Sequence, residues 1–237
     1  MDEAEIRKAA QLEDRHWWYS ARRAMVRREL VDLAPGRALD VGCGSGGNSA
    51  VLRDLGWDVT AMDLSAEAVR AARRRGLRVL RGDARALPFR DGDFDLVIST
   101  DSWEHIEEHD LVAAEAHRVL RPNGTLFVAV PAGMDLWSGH DVALGHRRRY
   151  ERDELVALVQ RAGFSVQDVL GWNVLLRPVA WARRRWRRGK TWAASKSEMD
   201  PVNPVLNLGL RMAVALESVL PVRRRRGISL VLRARRE

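Results

Sequence analysis

An α/β fold built on a mostly parallel sheet is what this 237-residue chain predicts, on three observations. Short apolar runs alternate with amphipathic segments between residues 37 and 131; a glycine-rich turn, Gly42-Cys43-Gly44-Ser45-Gly46-Gly47, follows the first run; and an aspartate stands at or just past the end of each of the first three runs, at Asp40, Asp63 and Asp83. Strands joined by helical crossovers run parallel, and such a sheet needs helices on both faces. The length suffices for one domain of this kind with an elaboration.

Taken in order, residues 3–33 read as two helices separated near His16-Trp17-Trp18-Tyr19-Ser20. Residues 38–41 form the first strand, and 48–55 its helix. The glycines between them suit a strand–turn–helix junction, since glycine tolerates positive φ and leaves the helix N–H groups open to a ligand. Residues 57–62 are the second strand, 65–75 a helix, 77–80 the third strand, 95–99 the fourth and 109–120 a helix. Arg121-Pro122-Asn123-Gly124 reads as a turn, with the fifth strand over 125–130. A helix over 152–162 is closed by Gly163, and a sixth strand spans 164–170. Residues 228–233, Ile-Ser-Leu-Val-Leu-Arg, have the apolar character of a seventh. Ligands of such sheets sit beyond the carboxyl ends of the strands, near the point where strand order reverses.

The net charge of +8 divides unevenly. Residues 173–237 hold 16 Lys and Arg against 4 Asp and Glu, so the rest of the chain is slightly acidic. A basic tail on an acidic body argues against a nucleic-acid enzyme, in which basic residues gather around the catalytic domain. The single cysteine, Cys43, excludes an internal disulfide framework and a cysteine-rich zinc site, and suits a reducing cytoplasm. The acidic start lacks the layout of a secretory signal, and no charge-free run is long enough to span a bilayer. A cytoplasmic protein is expected, with contact at the inner membrane surface as one use of the tail.

Gly42, Gly44 and Gly47 also fit the G-x-G-x-x-G spacing of a dinucleotide site. Asp40 discriminates: a carboxylate aimed at the turn repels a pyrophosphate and suits an ammonium or sulfonium. At this point the chain resembles the class I S-adenosylmethionine-dependent methyltransferases, whose first motif, D-x-G-x-G-x-G, is filled here by Asp40, Gly42, Gly44 and Gly46. Leu87-Pro88-Phe89 and Phe94-Asp95-Leu96-Val97 continue the resemblance, which runs over about residues 16–170.

The resemblance implies a Rossmann-like seven-stranded sheet with an antiparallel last strand and N-terminal helices. Ordinary members join strands six and seven closely, whereas this chain spends residues 172–227 on that connection, so a helical insertion is expected there. The chain thus divides into a lid (1–34), a cofactor-binding domain (35–171 and 228–237) and a basic insertion (172–227). The resemblance implies S-adenosyl-L-methionine as cofactor, held by Gly42, Cys43 and Gly44 along the turn, by Asp63 with Leu64, and by Asp83 with Ala84 at the adenine. A carboxylate in the position of Asp63 can accept both ribose hydroxyls; capping the next helix is its alternative use. The W-W-Y-x-x-R-R pattern at residues 17–23 resembles that of small-molecule methyltransferases and points to a lid in which Trp18 or Tyr19 covers the cofactor and Arg22 or Arg23 pairs with its carboxylate.

Asp101, past the fourth strand, is expected at the cationic methionyl end. His105 is a candidate base, with a structural place at the start of the next helix as the alternative. The segment from His140 to Tyr150 resembles the H-D-x-x-x-x-H-x-R-R-Y loop of one subset of the family; His140, Asp141, His146 and Arg148 are expected to form a polar network around the acceptor, with one histidine able to take a proton. Their separation suits no compact zinc pattern, so no metal is expected.

In the insertion, Trp181, Trp186 and Trp192 stand among Arg183-Arg184-Arg185 and Arg187-Arg188; residues 205–220 read as a helix, and Arg223 to Arg226 follow. Tryptophan beside arginine suits an anionic membrane interface, a partner subunit such as a second copy of this chain, or a solvated face. The expected activity is methyl transfer to oxygen, nitrogen or carbon of a small or lipid-like acceptor. A nicotinamide-dependent oxidoreductase and a noncatalytic cofactor-binding module at the membrane are the competing classes.

Overall fold

The computed structural model describes residues 3–187 and 202–237. Trp192, the second half of the Arg187-Arg188 pair and residues 195–201 lie outside them. Two helices open the chain, α1 (Glu3–Leu12) and α2 (Trp17–Leu30). There follow β1 (Arg37–Val41), α3 (Gly47–Asp54), β2 (Asp58–Asp63), α4 (Ala66–Arg73), β3 (Arg78–Arg81), β4 (Phe94–Thr100), α5 (His109–Val119) and β5 (Leu120–Pro131). The chain continues through α6 (Gly139–Leu144), α7 (Arg152–Arg161), β6 (Phe164–Trp172), α8 (Arg177–Arg187), α9 (Pro204–Val219) and β7 (Ser229–Arg236).

The seven strands form one sheet in the order β3-β2-β1-β4-β5-β7-β6. The first five pair in parallel, and β7 runs antiparallel between β5 and β6. Strand order reverses between β1 and β4, which opens the crevice at their carboxyl ends. Alternate residues of the central strands serve opposite faces, as a pleated strand requires. Leu96, Ile98, Phe127 and Ala129 pack beneath Met25, Leu30 and Leu52 of α2 and α3, with Val214 of α9 at the margin. Val97, Leu126, Val128 and Val130 meet Ala113 and Ala116 of α5 and Leu155 and Val159 of α7 on the other face.

Four local expectations are corrected. The aromatics at 17–19 do not sit at a helix break; they form the first turn of α2, because the His16 side chain accepts the Trp18 N–H at 3.3 Å and caps the helix just before them. Residues 121–124 are an excursion within β5: the pairing with β4 jumps from Phe94–Leu120 to Leu96–Thr125, and Asn123 takes a positive φ of 65° inside the excursion. Residues 103–105 form a single 3-10 turn and do not start α5. Residues 139–144, read only as part of a loop, form the short helix α6 with a Ser138–Asp141 capping box.

Between β6 and β7, α9 packs back against α2, and α8 lies against residues 134–136 after β5, where Arg184 donates to the Leu136 carbonyl. Asn207 accepts the Trp17 N–H at 2.8 Å and donates to the Arg15 carbonyl at 3.1 Å, and buried Glu217 accepts the Leu175 N–H at 3.0 Å. No helix among the described residues is long and apolar enough to cross a membrane.

Candidate functional site

The carboxyl ends of β1, β2 and β4 open into a cavity of about 1050 Å³ that runs from the glycine turn to α6 and α8. Its floor is the turn itself. The Gly42 and Cys43 N–H groups donate to the Met62 carbonyl at 2.8 and 3.0 Å, fastening the turn to the end of β2. Gly42, at a φ of 76°, also leaves no room for a side chain, since a Cβ would fall 2.3 Å from Ser102 Oγ. Buried Asp40 accepts the Ser49 hydroxyl at 2.5 Å through one oxygen, while its Oδ1 has no hydrogen bond. Burial, with Asp63 and Glu13 nearby, pushes its carboxyl up to about 7. Burial and Asp40 push the Cys43 thiol well above its ordinary value, which disfavours the thiolate.

Asp63 accepts the Gly44 N–H at 2.9 Å and the Ser65 N–H at 2.8 Å. The capping alternative is therefore met only in part: Ser65 itself caps α4, accepting from the Glu67 and Ala68 N–H groups. Burial raises the Asp63 carboxyl against the pull of those two amides. Leu64 beside it is 62% exposed at the edge of the cavity, an apolar surface that a flat ring can cover. Asp83 also reaches the cavity, with Ala84 buried behind it. The Arg85 guanidinium pairs with Asp83 at 2.7 Å and bridges to Glu108 at 2.8 Å, which holds the Asp83 carboxyl below its usual range. Asp83 also accepts the Arg85 backbone N–H at 2.9 Å, so a further donor at this carboxylate shares acceptor sites with the arginine.

The N-terminal helices cover the turn. Buried Glu13, just past α1, accepts the Ser45 hydroxyl at 2.9 Å and pairs with Arg23 at 2.8 Å. Its carboxylate lies against the first residue of α3: a Cβ on Gly47 would fall 1.8 Å from Glu13 Oε1. The N-terminus of α3, where a dinucleotide site would place its pyrophosphate, thus already faces a carboxylate of the chain. Nothing in sequence spacing linked Glu13 to a turn 30 residues away. Arg23, expected as an alternative to Arg22, serves Glu13. Arg22 is buried, pairs with Asp101, and lies between the Trp18 and Trp172 rings with its guanidinium carbon 5.2 and 5.1 Å from their centroids. Asp101 adopts a positive φ of 49° at the end of β4. Tyr19 lines the same cavity, its hydroxyl pushed up by burial and by Glu13 and Asp101.

At the far end, the loop after β5 folds over residues 104–107. The Arg147 N–H donates to the Glu104 carbonyl at 2.8 Å, and Tyr150 bridges to Ala132 while its hydroxyl meets His109 Nδ1 at 2.7 Å. Part of the expected polar network forms, around Asp141 and His146, with one arginine changed. Buried Asp141 takes His146 Nδ1 at 3.0 Å and Arg149 Nε at 2.7 Å, whereas Arg148 reaches the Glu107 carbonyl at 3.1 Å. Arg149 points inward because Tyr150 is drawn under the end of β5, leaving its predecessor in the interior. Burial raises the Asp141 carboxyl, but His146, Arg149 and Arg184 outweigh it and hold that carboxyl well below the ordinary range. The His140 ring lies 6.3 Å from that of His146, and the His105 ring 4.8 Å. Burial and the neighbouring His146 bring the His105 imidazole down to about 4. Glu104, fully buried, joins them; its carboxyl is raised by burial and by Asp101.

A methyltransferase-domain family model matches residues 39–128. A probable S-adenosylmethionine-dependent methyltransferase of Mycolicibacterium smegmatis is 32% identical over 165 residues, 68% of this chain and 64% of the relative. These similarities support the resemblance to the class I S-adenosylmethionine-dependent methyltransferases read from the motifs. A demethylmenaquinone methyltransferase of Renibacterium salmoninarum is 38% identical over 43% of this chain and 44% of its own length. The alignments thus span less than two thirds of the length of these curated relatives. A Thermotoga maritima methyltransferase structure shares the fold at a TM-score of 0.64 and 20% identity, covering 98% of this chain and 99% of that one.

The cavity suits that family's cofactor on its own chemistry. It presents one buried, half-satisfied carboxylate behind the turn, an anchored one at β2, and open space above Gly44, where a Cβ would meet nothing within 4 Å.

Proposed function

We propose that this protein transfers the methyl group of S-adenosylmethionine to a small or lipid-like acceptor. In this reading Asp63 takes the ribose hydroxyls, Leu64 and Ala84 flank the adenine, Asp83 accepts its amino group, and the backbone of Gly42, Cys43 and Gly44 lies along the methionyl chain, with Asp40 behind it. Tyr19 closes the pocket from above. The cofactor supplies an activated methyl on a sulfonium; the chain has to align the acceptor in line with it and keep water out.

The observation that carries the reading is the Arg22–Asp101 pair beside the glycine turn. Opposite charges side by side match the carboxylate and ammonium of an amino-acid end group, and each can exchange its partner for the ligand. A pyrophosphate finds no such complement, least of all with Glu13 over α3. His105, His140 and His146 stand on the acceptor side, where Asp141 orients His146 and leaves its Nε2 lone pair open toward the acceptor.

The insertion supplies an apolar part of the acceptor wall, through Val179 and Ala180 of α8 and Leu206 and Leu210 of α9, beside Arg183 and Arg184. The same helices expose Trp186 at 88%, Val205 at 81% and Met212 at 64%, with Arg183, Arg184 and Arg185 on α8 and Arg211 on α9. We therefore assign residues 172–227 to an anionic membrane surface from which a lipid-like acceptor enters, with 1–34 as the lid and the rest of the chain as the cofactor domain. Support for such an acceptor comes from the quinone-directed name of the Renibacterium relative.

Incubation with methyl-labelled cofactor and a lipid and metabolite extract should yield a labelled apolar product. Failure to label anything while the cofactor binds would leave a noncatalytic binding module. Vesicles of anionic phospholipid should co-sediment the protein at low salt and release it at high salt; no binding, with a concentration-dependent dimer instead, would assign the exposed face to a second copy.

A further inference from the structure

Three side chains on the acceptor side of the cavity, Glu104, His105 and His146, each place one ligand atom within 4.8 Å of the other two. They come from two segments some 40 residues apart, joined where the Arg147 N–H bonds the Glu104 carbonyl. Glu104 is fully buried, and neither of its carboxylate oxygens accepts a hydrogen bond. A carboxylate in that state is costly without a cation or a donor. Arg149, which faces the same cavity, is already tied to Asp141 and to the Ala132 carbonyl.

Both imidazoles are turned for ligation. His105 Nδ1 lies 3.3 Å from the Gly145 carbonyl and His146 Nδ1 lies 3.0 Å from an Asp141 oxygen. Each of those partners only accepts, so each ring carries its proton at Nδ1 and leaves the Nε2 lone pair open. His146 Nε2 stands 3.9 Å from Glu104 Oε1. A histidine held by a carboxylate through its far nitrogen is the usual arrangement behind a metal ligand.

We propose that Glu104, His105 and His146 bind a divalent transition-metal ion, with its remaining positions open to the acceptor's oxygen atoms. Two imidazoles and one carboxylate suit zinc, manganese, iron or cobalt in the divalent state, and disfavour magnesium and calcium. Binding requires the three ligand atoms, now within 4.8 Å of one another, to draw together around the ion. The expectation of no metal rested on His140, Asp141 and His146 alone; Glu104 and His105 lie elsewhere in the chain and complete the set. On the methyltransferase reading, the ion orients the acceptor beside the cofactor's methyl.

The test uses the untagged full chain, stripped with a chelator and titrated with zinc by calorimetry and with cobalt by visible absorption. One equivalent of each should bind, with the cobalt bands of a nitrogen–oxygen site. Glu104→Gln and His146→Gln should each weaken zinc binding by at least about tenfold, while His117→Gln, on α5, should not. Should Glu104→Gln fail to fold, His105→Gln supplies the same comparison on a half-exposed ring. Absence of stoichiometric zinc binding, or binding unchanged in these variants, overturns the proposal. Titration with S-adenosylhomocysteine separates the two claims: metal without nucleoside binding keeps the site and removes the methyltransferase reading, and the converse removes the site alone.

Discussion

The two ends of the cavity are built differently. At the cofactor end, Asp40, the glycine turn, Asp63 and Asp83 each sit at the end of a strand or within a few residues of it, and their positions follow from the sheet itself. At the acceptor end, Glu104 and His105 from one loop meet His146 and Asp141 from another, and the wall comes from α8 and α9, distant in sequence. The first end is a property of the fold, and the second of this chain. The difference teaches where specificity can change without disturbing the cofactor: in loops after β4 and β5 and in the helices before β7.

If the ends are as separable as that, substitutions should sort by end. The largest effect is expected from Asp63→Ala, which removes the acceptor for the Gly44 and Ser65 amides and for the ribose together. Two charge-assisted hydrogen bonds correspond to roughly 100-fold weaker cofactor binding, measured by calorimetry. Next comes His146→Ala, expected to lower turnover by about 10- to 100-fold while cofactor affinity stays within about twofold. A matching fall in cofactor affinity would merge the two ends and break the comparison.

Asp40 adds a pH signature confined to the cofactor end. Its folded carboxyl titrates near about 7, above the ordinary 3.8, so the folded protein holds a proton that the unfolded chain releases. Cofactor-free stability should therefore fall as pH rises from about 4 to about 7 and level off beyond, a slope that Asp40→Asn removes. A cationic ligand favours the ionised carboxylate, so binding should release a proton below about pH 7 and strengthen as pH rises toward it. Calorimetry in buffers of different ionisation enthalpy reads that proton directly. The smallest effect is expected from Arg85→Ala, whose partners are largely solvated: cofactor affinity should change by no more than about threefold.

The same contrast governs how much the sequence discloses. The glycine turn and its aspartates are local, so spacing and charge place them, and the strand and helix bounds of residues 37–119 fall within about two residues of the structure. The seven strands follow from the apolar pattern and the antiparallel β7 from the resemblance, and both are as expected. What escaped depends on contacts between distant segments. Glu13 reaches the glycine turn only because α1 folds back over it, and Trp172 meets Arg22 only because β6 ends beside α2. Arg149 replaces Arg148 in the polar network because a strand-like bridge at Tyr150 decides which side of the loop faces inward. Glu104 was hidden by its neighbours, since an acidic residue beside a histidine ordinarily reads as a solvated helix start.

The central claim is that this cavity holds a cationic, adenosine-bearing ligand through carboxylates at the ends of its first strands. Parallel calorimetric titrations of the intact chain with S-adenosylmethionine and with oxidised and reduced nicotinamide dinucleotide test it most directly. One equivalent of the sulfonium ligand should bind, and no dinucleotide should. Saturable dinucleotide binding with no heat from S-adenosylmethionine would contradict the account at its base.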